Sequence, residues 1–454
     1  MHETTVAERL PTPVARCVPV GAARGARIWA LLAGWAALWF LGRVFSGAYS
    51  WHFFWFGSGL LLHPGAPGGG LHVYAAHPEL QIGPLALAAA IPFHVFGATG
   101  SGLVAAAMSM VVGMVGLYLL TRMAQRTRWI APSVLLSVGL LFVPVWSEVA
   151  VHFTHLDDVL ALGLTVAALW TLSKPLPVVT GLLLAAAVDS KPWAAPFAVL
   201  VLALPAGHRV RALIALSAGL ALAWLPFLVA DPGTMAVGHF RIDNVASSAL
   251  NAIGIHSALT PWWDRPAQIL LGLSIGAVLV RRGRPVAAMF AGIACRLLLD
   301  PETYSYYTSG LALAAAGLDL ASGRRVPWWT ASVAGFWIVD EWGMRFLSPH
   351  VRGVIRFAYC LAAVVVLLGS SIRRKGARPG PRTTPDEPGG IADLPAGYGA
   401  GALCRTTPLC RTTPLRRTTP LRGSQMLRTE DTVPLPPTRL GRPAGPPGRR
   451  PGGW

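Results

Sequence analysis

The stretch IWALLAGWAALWFLGRVF, residues 28–45, decides the fold class. As an α-helix rising about 1.5 Å per residue it reaches nearly across the roughly 30 Å hydrocarbon core of a bilayer. VIRFAYCLAAVVVLLGS, residues 354–370, reads the same way. About a dozen apolar stretches of this kind, bounded by Pro, Gly or Arg, fill residues 28–371, and in lipid such runs are stable only as helices, because every backbone amide must be bonded internally. A membrane β-barrel would alternate in polarity instead. The expected fold is therefore an all-α polytopic membrane protein.

The composition agrees, with 53% hydrophobic and 13% charged residues, outside the range of an ordinary soluble domain. The net charge of +18 does not mark a nucleic-acid partner, since ten of those charges fall in residues 372–454 and most others in short loops. Loop arginines of this kind follow the positive-inside pattern. Residues 1–27, with Arg16, Arg24 and Arg27, read as a cytoplasmic segment ahead of a retained first helix. Residues 372–454 repeat RTTPL at 405, 411 and 417. Such a Pro-, Gly-, Arg- and Thr-rich tail cannot bury a core and is expected to be disordered, its arginines lying near membrane lipids. Five cysteines, Cys17, Cys295, Cys360, Cys404 and Cys410, show neither metal spacing nor a disulfide framework.

Parity of the crossings turns on residues 82–97, a short apolar run broken by Pro84 and Pro92. Treated as re-entrant or interfacial, this run lets Arg122, Arg126, Arg128, Lys174, Arg209, Arg211, Arg281, Arg282, Arg284, Arg324 and Arg325 all face the cytoplasm, giving about twelve crossings by the positive-inside rule. The segments 46–82, 146–158 and 231–266 then become external loops, and the first of them contains no Lys or Arg.

The candidate chemistry collects on that external side. His152, His155, Asp157 and Asp158 stand at the start of a helix, where acids are favoured by the dipole; two acids beside two imidazoles also suit a divalent cation or a sugar hydroxyl. Asp189 and Lys191 flank a turn, readable as a mutual ion pair or as an anion site with Lys191 on a phosphate. Arg296, Asp300-Pro301-Glu302, Tyr304, Tyr306 and Tyr307 form a third group, in which the Arg fork suits phosphate unless it snorkels outward. His77-Pro78-Glu79 closes the first external loop. Asp340, Glu341 and Arg345 read as a helix-end charge cluster, and Asp243 and Asp264 as solvated.

Taken together, the long first loop, the Tyr74…His77-Pro78 run entering a Pro-containing helix, the polar segment 152–158, Lys191-Pro192, and Arg296…Asp300-Pro301…Tyr306-Tyr307 resemble the GT-C class of integral membrane glycosyltransferases. Within that class the arrangement is similar to the bacterial polyprenyl-phosphate-mannose-dependent family, glycosyltransferase family 87. The resemblance implies a GT-C-like bundle of about twelve transmembrane helices plus one re-entrant or short helix. It also implies a polyprenyl-phosphate-sugar donor, a glycolipid or glycan acceptor, and a plasma-membrane location with both termini cytoplasmic. Lys191 and Arg296 would bind the donor phosphate; His77, His152, His155, Asp189, Asp300, Tyr306 and Tyr307 would line the substrate. The family places its acidic general base early in the first external loop, whereas this chain reads Tyr49-Ser50-Trp51-His52-Phe53 there. Glu79, Asp157, Asp158 or His52 then supplies the base, or the chain binds lipid-linked sugar without turning it over; a transporter or flippase is the other class of reading. A divalent cation is the one cofactor candidate.

Overall fold

A computed structural model describes residues 20–370, apart from Pro175, Thr303, Met344 and Arg345. Residues 1–19, the tail 372–454 with its repeats, and Cys17, Cys404, Cys410 and Arg345 lie outside the described residues, as do the expectations attached to them. Among the described residues there is no strand beyond an isolated bridge between Asp243 and Leu259. Among the described residues, five helical segments are long and apolar enough to cross a membrane: Gly25–Arg43, Pro84–Gln125, Pro132–His152, Ala206–Ala230 and Pro349–Gly369. The described residues are thus all-helical and of membrane-protein character.

The chain opens with α1 (Val20–Arg43), α2 (Trp51–Leu62), α3 (Val73–Ala76), α4 (Pro84–Ala90), α5 (Gly97–Gln125) and α6 (Pro132–Ser147). After a π-helical turn, Glu148–His152, come α7 (Leu156–Leu172), α8 (Pro177–Ser190), a 3-10 segment Pro192–Ala203 and α9 (Ala206–Ala230). The remainder is α10 (Ala249–Ala252), α11 (Asp264–Arg281), α12 (Pro285–Leu298), α13 (Tyr307–Ser322), α14 (Trp328–Gly343) and α15 (Pro349–Gly369). Pro stands in the first turn of α4, α6, α8, α12 and α15, where its missing N–H costs nothing and its fixed φ favours the helix.

Segments expected as loops are partly helical. α2 and α3 lie inside 46–82, because Trp51, Phe54, Gly57 and Ser58 repeat at helical spacing and are buried. Segment 146–158 is not a loop either. α6 runs directly into the π-helical turn, and the chain bends only at Thr154, which has a left-handed φ of 50°. Residues 82–97 form α4 followed by a 3-10 segment, Ile91–Phe96, that leads into α5. Segment 231–266 carries a 3-10 turn, Pro232–His239, and α10.

Small residues set the packing, as expected where lipid supplies no hydrophobic drive between helices. A methyl group on Gly181 of α8 would fall 2.2 Å from the Ala212 carbonyl oxygen of α9. One on Gly83 would fall 1.2 Å from the Asp189 carbonyl oxygen, so the entry to α4 is pressed against the end of α8.

Two ends of the bundle differ sharply. At one, basic side chains cap their neighbours: Arg126 Nη1 donates to Ser173 Oγ at 2.5 Å, Arg282 Nη1 to the Leu368 carbonyl at 2.5 Å and Arg284 Nη1 to the Leu367 carbonyl at 2.7 Å. At the other end α1 meets the π-helical turn through Arg43 and Glu148, 2.6 Å apart. The start of α2 reaches α5 there through Trp51 Nε1, which donates to Ser101 Oγ at 2.8 Å. The stretch between α1 and α5 therefore leaves and returns at this second end. The starts of α7, α11 and α13 and the ends of α8 and α12 lie there too, and they build the site.

Candidate functional site

Thr154 turns the chain so that His155, Asp157 and Asp158 stand at the start of α7. Asp158 N donates to Asp157 Oδ1 at 2.8 Å, and both acids stand in the first turn of α7, where the helix dipole favours them. The two carboxylates do much more than cap. Asp157, wholly buried, lies 2.5 Å from both Lys191 Nζ and His155 Nδ1. Asp158 accepts from Trp193 Nε1 at 2.5 Å and lies 3.7 Å from Arg296 Nη1. Arg296 Nε is 3.4 Å from Asp300 Oδ2, and its guanidinium sits between the rings of Trp193 and Tyr307, 4.6 and 4.3 Å from their centroids. Tyr306 packs on the His155 ring at 4.5 Å. Four separate chain segments thus close into one network of alternating charge, which is how buried ions are tolerated.

This network forms the floor of a cavity of about 850 Å³. Of the residues singled out in the sequence, Glu79, His155, Lys191, Arg296, Asp300, Tyr306 and Tyr307 line it. Asp157 and Asp158 sit behind Lys191 and Arg296 and set their positions. The other candidates lie elsewhere. His52 is exposed and packs on Phe53, with 3.9 Å between ring centroids. His77 Nδ1 lies 3.1 Å from Glu79 Oε1 at the rim. His152 packs edge-on against Tyr49 and Phe153. Asp189 Oδ2 accepts from Leu85 N at 2.8 Å and so holds the start of α4.

Three local expectations are overturned. Lys191 pairs with Asp157 and not with Asp189, because α8 ends at Ser190 and the extended Lys191 backbone (φ −149°, ψ 115°) carries its side chain away from the helix. Arg296 does not snorkel outward, since its acids and aromatic rings hold it inside. Asp264 is not solvated: it is fully buried at the start of α11, and its Oδ2 accepts from Gln268 Nε2 at 2.8 Å. Asp243 is exposed. Asp340 is buried and pairs with Arg356 at 2.5 Å and Arg352 at 3.8 Å across α14 and α15. Cys295 and Cys360 are buried free thiols.

Compared with protein-family models, curated proteins and solved structures, the chain matches none. Its chemistry therefore rests on the cavity alone.

The cavity also holds residues to which the sequence alone assigned no role: Gln81, Asp264, Arg265, Gln268 and Glu302. Glu302 lies in the connection between α12 and α13. Burial, with the Asp300 carboxylate adding to it, pushes its carboxyl up to about 7. The Tyr307 hydroxyl donates to Glu302 Oε2 at 3.3 Å, and Arg356 Nη1 donates to its carbonyl at 3.4 Å. Burial likewise raises Asp300, with Arg296 opposing the shift. A carboxylate poised near neutrality in a cavity is suited to proton transfer. The available signal was Asp-Pro-Glu between two apolar runs, an acid pair too costly at that depth to be incidental.

His155, Asp157 and Asp158 offer three ligand atoms within 4.8 Å of one another, a set able in principle to hold a metal ion. Both Asp157 oxygens are taken, by His155 Nδ1 and Lys191 Nζ, so an ion bridging the three residues would displace a donor there, whereas Asp158 Oδ2 is buried without a hydrogen-bond partner among the described residues.

Proposed function

We propose that this protein is a GT-C-like membrane glycosyltransferase that moves a sugar, mannose in the first instance, from a polyprenyl phosphate to a lipid or cell-envelope glycan acceptor. The observation that carries this reading is the pairing, in one cavity, of two oriented cations, Lys191 and Arg296, with a carboxylate, Glu302, held near neutral pKa. The positive-inside rule assigns the basic end to the cytoplasm, which puts the cavity on the external face of the plasma membrane with about twelve crossings and both termini inside. Trp224 and Leu228 of α9 and Ile269 of α11 give the cavity apolar walls suited to an isoprenoid chain.

In this mechanism Glu302 takes the proton of an acceptor hydroxyl as its oxygen attacks the anomeric carbon. The bond from that carbon to the phosphate oxygen breaks, and polyprenyl phosphate leaves with the bonding pair. Lys191 and Arg296 face the charge that develops on the departing phosphate, and donors fixed in advance stabilise it without reorganisation. Asp157, Asp158 and Asp300 act as positioning residues for those cations. Glu79, at the exposed rim beside His77, orders the acceptor's entry. No step requires a divalent cation, Lys191 Nζ standing where one would sit on Asp157.

The test is transfer of label from polyprenyl-phosphate-mannose to a membrane-lipid acceptor extract by purified protein, beside Glu302→Gln. Transfer by the parent, lowered at least a hundredfold in the variant, supports the assignment; removing a general base typically costs about 10²–10⁴-fold. Equal transfer by both removes Glu302 from the chemistry. Donor bound but not turned over by the parent makes the protein a binder of lipid-linked sugar.

A further inference from the structure

The network around Lys191 and Arg296 leaves one wall of the cavity unexplained. There the start of α11 faces the connection that enters α4. Asp264 is fully buried; its Oδ2 is taken by Gln268 Nε2, while its Oδ1 has no hydrogen-bond partner among the described residues. Arg265 donates to Gln81 Oε1 and forms no ion pair among the described residues. Gln81 Nε2, also buried, is likewise without a partner. Gln268 Nε2 additionally donates to the Leu299 carbonyl at 3.2 Å, tying this wall to the connection that carries Asp300 and Glu302. All four side chains line the same cavity as Glu302.

A buried polar atom without a partner costs free energy unless something satisfies it. Here a carboxyl oxygen and two sets of N–H donors stand on one wall of the cavity. An anion would use the donors and leave Asp264 Oδ1 unsatisfied. A hydroxyl both donates and accepts, so neighbouring hydroxyls satisfy Asp264 Oδ1 and the donors of Gln81 and Arg265 together. We infer that Asp264, Arg265 and Gln81 form a polyol subsite that binds vicinal hydroxyls of a pyranose ring within the cavity. This inference rests on the transferase reading for the identity of the sugar, and on the open polar atoms for the site itself.

The experiment uses the full chain in a polyoxyethylene detergent, free of sugar and phosphate. Quenching of Trp193 and Trp224, which line the cavity, reports binding of octyl mannoside and of octyl phosphate. The parent is expected to bind octyl mannoside saturably. Asp264→Asn is expected to weaken it about tenfold, the scale for losing one hydrogen bond in a buried site, while leaving octyl phosphate unchanged or tighter. Gln81→Leu, in the connection and outside any helix, is expected to weaken octyl mannoside about fivefold on the scale of a neutral hydrogen bond; it keeps the test alive if Asp264→Asn does not reach the parent's elution position and thermal transition. Tighter octyl phosphate with unchanged octyl mannoside in Asp264→Asn would make the wall an anion site and overturn the inference. So would folded variants that bind both probes as the parent does. Asp264-dependent glycoside binding by a protein that transfers no sugar would sink the transferase reading alone; intact transfer with glycoside binding indifferent to Asp264 and Gln81 would sink the subsite alone.

Discussion

Replacing Lys191 by Met removes the ammonium that sits 2.5 Å from Asp157 Oδ2 while keeping the side chain's length. The lysine side chain is 16% exposed and the aspartate side chain not at all, so solvent screens this pair little. Stranding one member of a buried ion pair costs about 3–5 kcal/mol. Asp157 keeps His155 Nδ1 at 2.5 Å, which puts the expected loss at the lower end, about 3 kcal/mol. That corresponds to roughly a hundredfold in the folding equilibrium. The double variant Lys191→Met with Asp157→Asn removes both charges while leaving an amide for His155, and it should recover to within about 1 kcal/mol of the parent. Unfolding titrations with dodecyl sulfate in mixed micelles, followed by tryptophan fluorescence, measure all three proteins. The reasoning fails if Lys191→Met lies within 1 kcal/mol of the parent, or if the double variant is no more stable than the single one.

Glu302 makes both rate and stability depend on pH. Transfer needs its carboxylate, so kcat should fall about tenfold per unit below pH 7, and a flat profile from pH 5 to 8 would exclude Glu302 as base. The stability effect has the opposite sense. The folded pKa, about 7, lies above the ordinary 4.5, so the protonated form is the favoured one in the fold. That contribution is full below the unfolded value and is lost as pH rises through about 7. Glu302→Gln should therefore melt higher than the parent at pH 8 and alongside it at pH 4.5, and a lower melting point at pH 8 would contradict the burial argument. Because His155 and Lys191 already occupy both Asp157 oxygens, EDTA should leave transfer within about twofold, and a larger loss restored by a divalent cation would overturn that occupancy.

Much of the architecture was legible in the sequence because apolar length has few other uses. The clusters 152–158, 189–193 and 296–307 were legible for a related reason: charges inside apolar stretches are too costly to be incidental. The choice of partner was not. Asp189 is two residues from Lys191, yet Lys191 reaches Asp157 instead, because the helix ends between the two side chains. Nothing local announces that. In 46–82 the helical repeat of Trp51, Phe54 and Ser58 was present but masked by an aromatic density that reads equally well as an interfacial loop. Asp264 gave the least warning, since its burial depends on Gln268 and on the Leu299 carbonyl, reached only when α11 packs on α12.

The convergence of charge at one end of the bundle follows largely from helix direction. Acids stand at N-termini, Asp157 and Asp158 on α7 and Asp264 on α11, while cations stand at C-termini, Arg296 on α12 and Lys191 just beyond α8. Each sits where the backbone dipole favours it, and neighbours running in opposite directions bring opposite signs together. Much of the network could thus exist for stability alone. Buried Asp300 and Glu148 also lie at or beyond helix C-termini, but each has an ion-pair partner, Arg296 and Arg43; two further groups escape the dipole account with no ion pair among the described residues. Glu302 lies in a connection between helices, where no helix dipole stabilises its half-buried carboxylate. Arg265 stands in the first turn of α11, against the dipole, and forms no ion pair among the described residues. Residues that break a local rule without a structural return mark function, so Glu302 and Arg265, more than the better-paired Lys191 and Arg296, separate a working site from a well-packed bundle end.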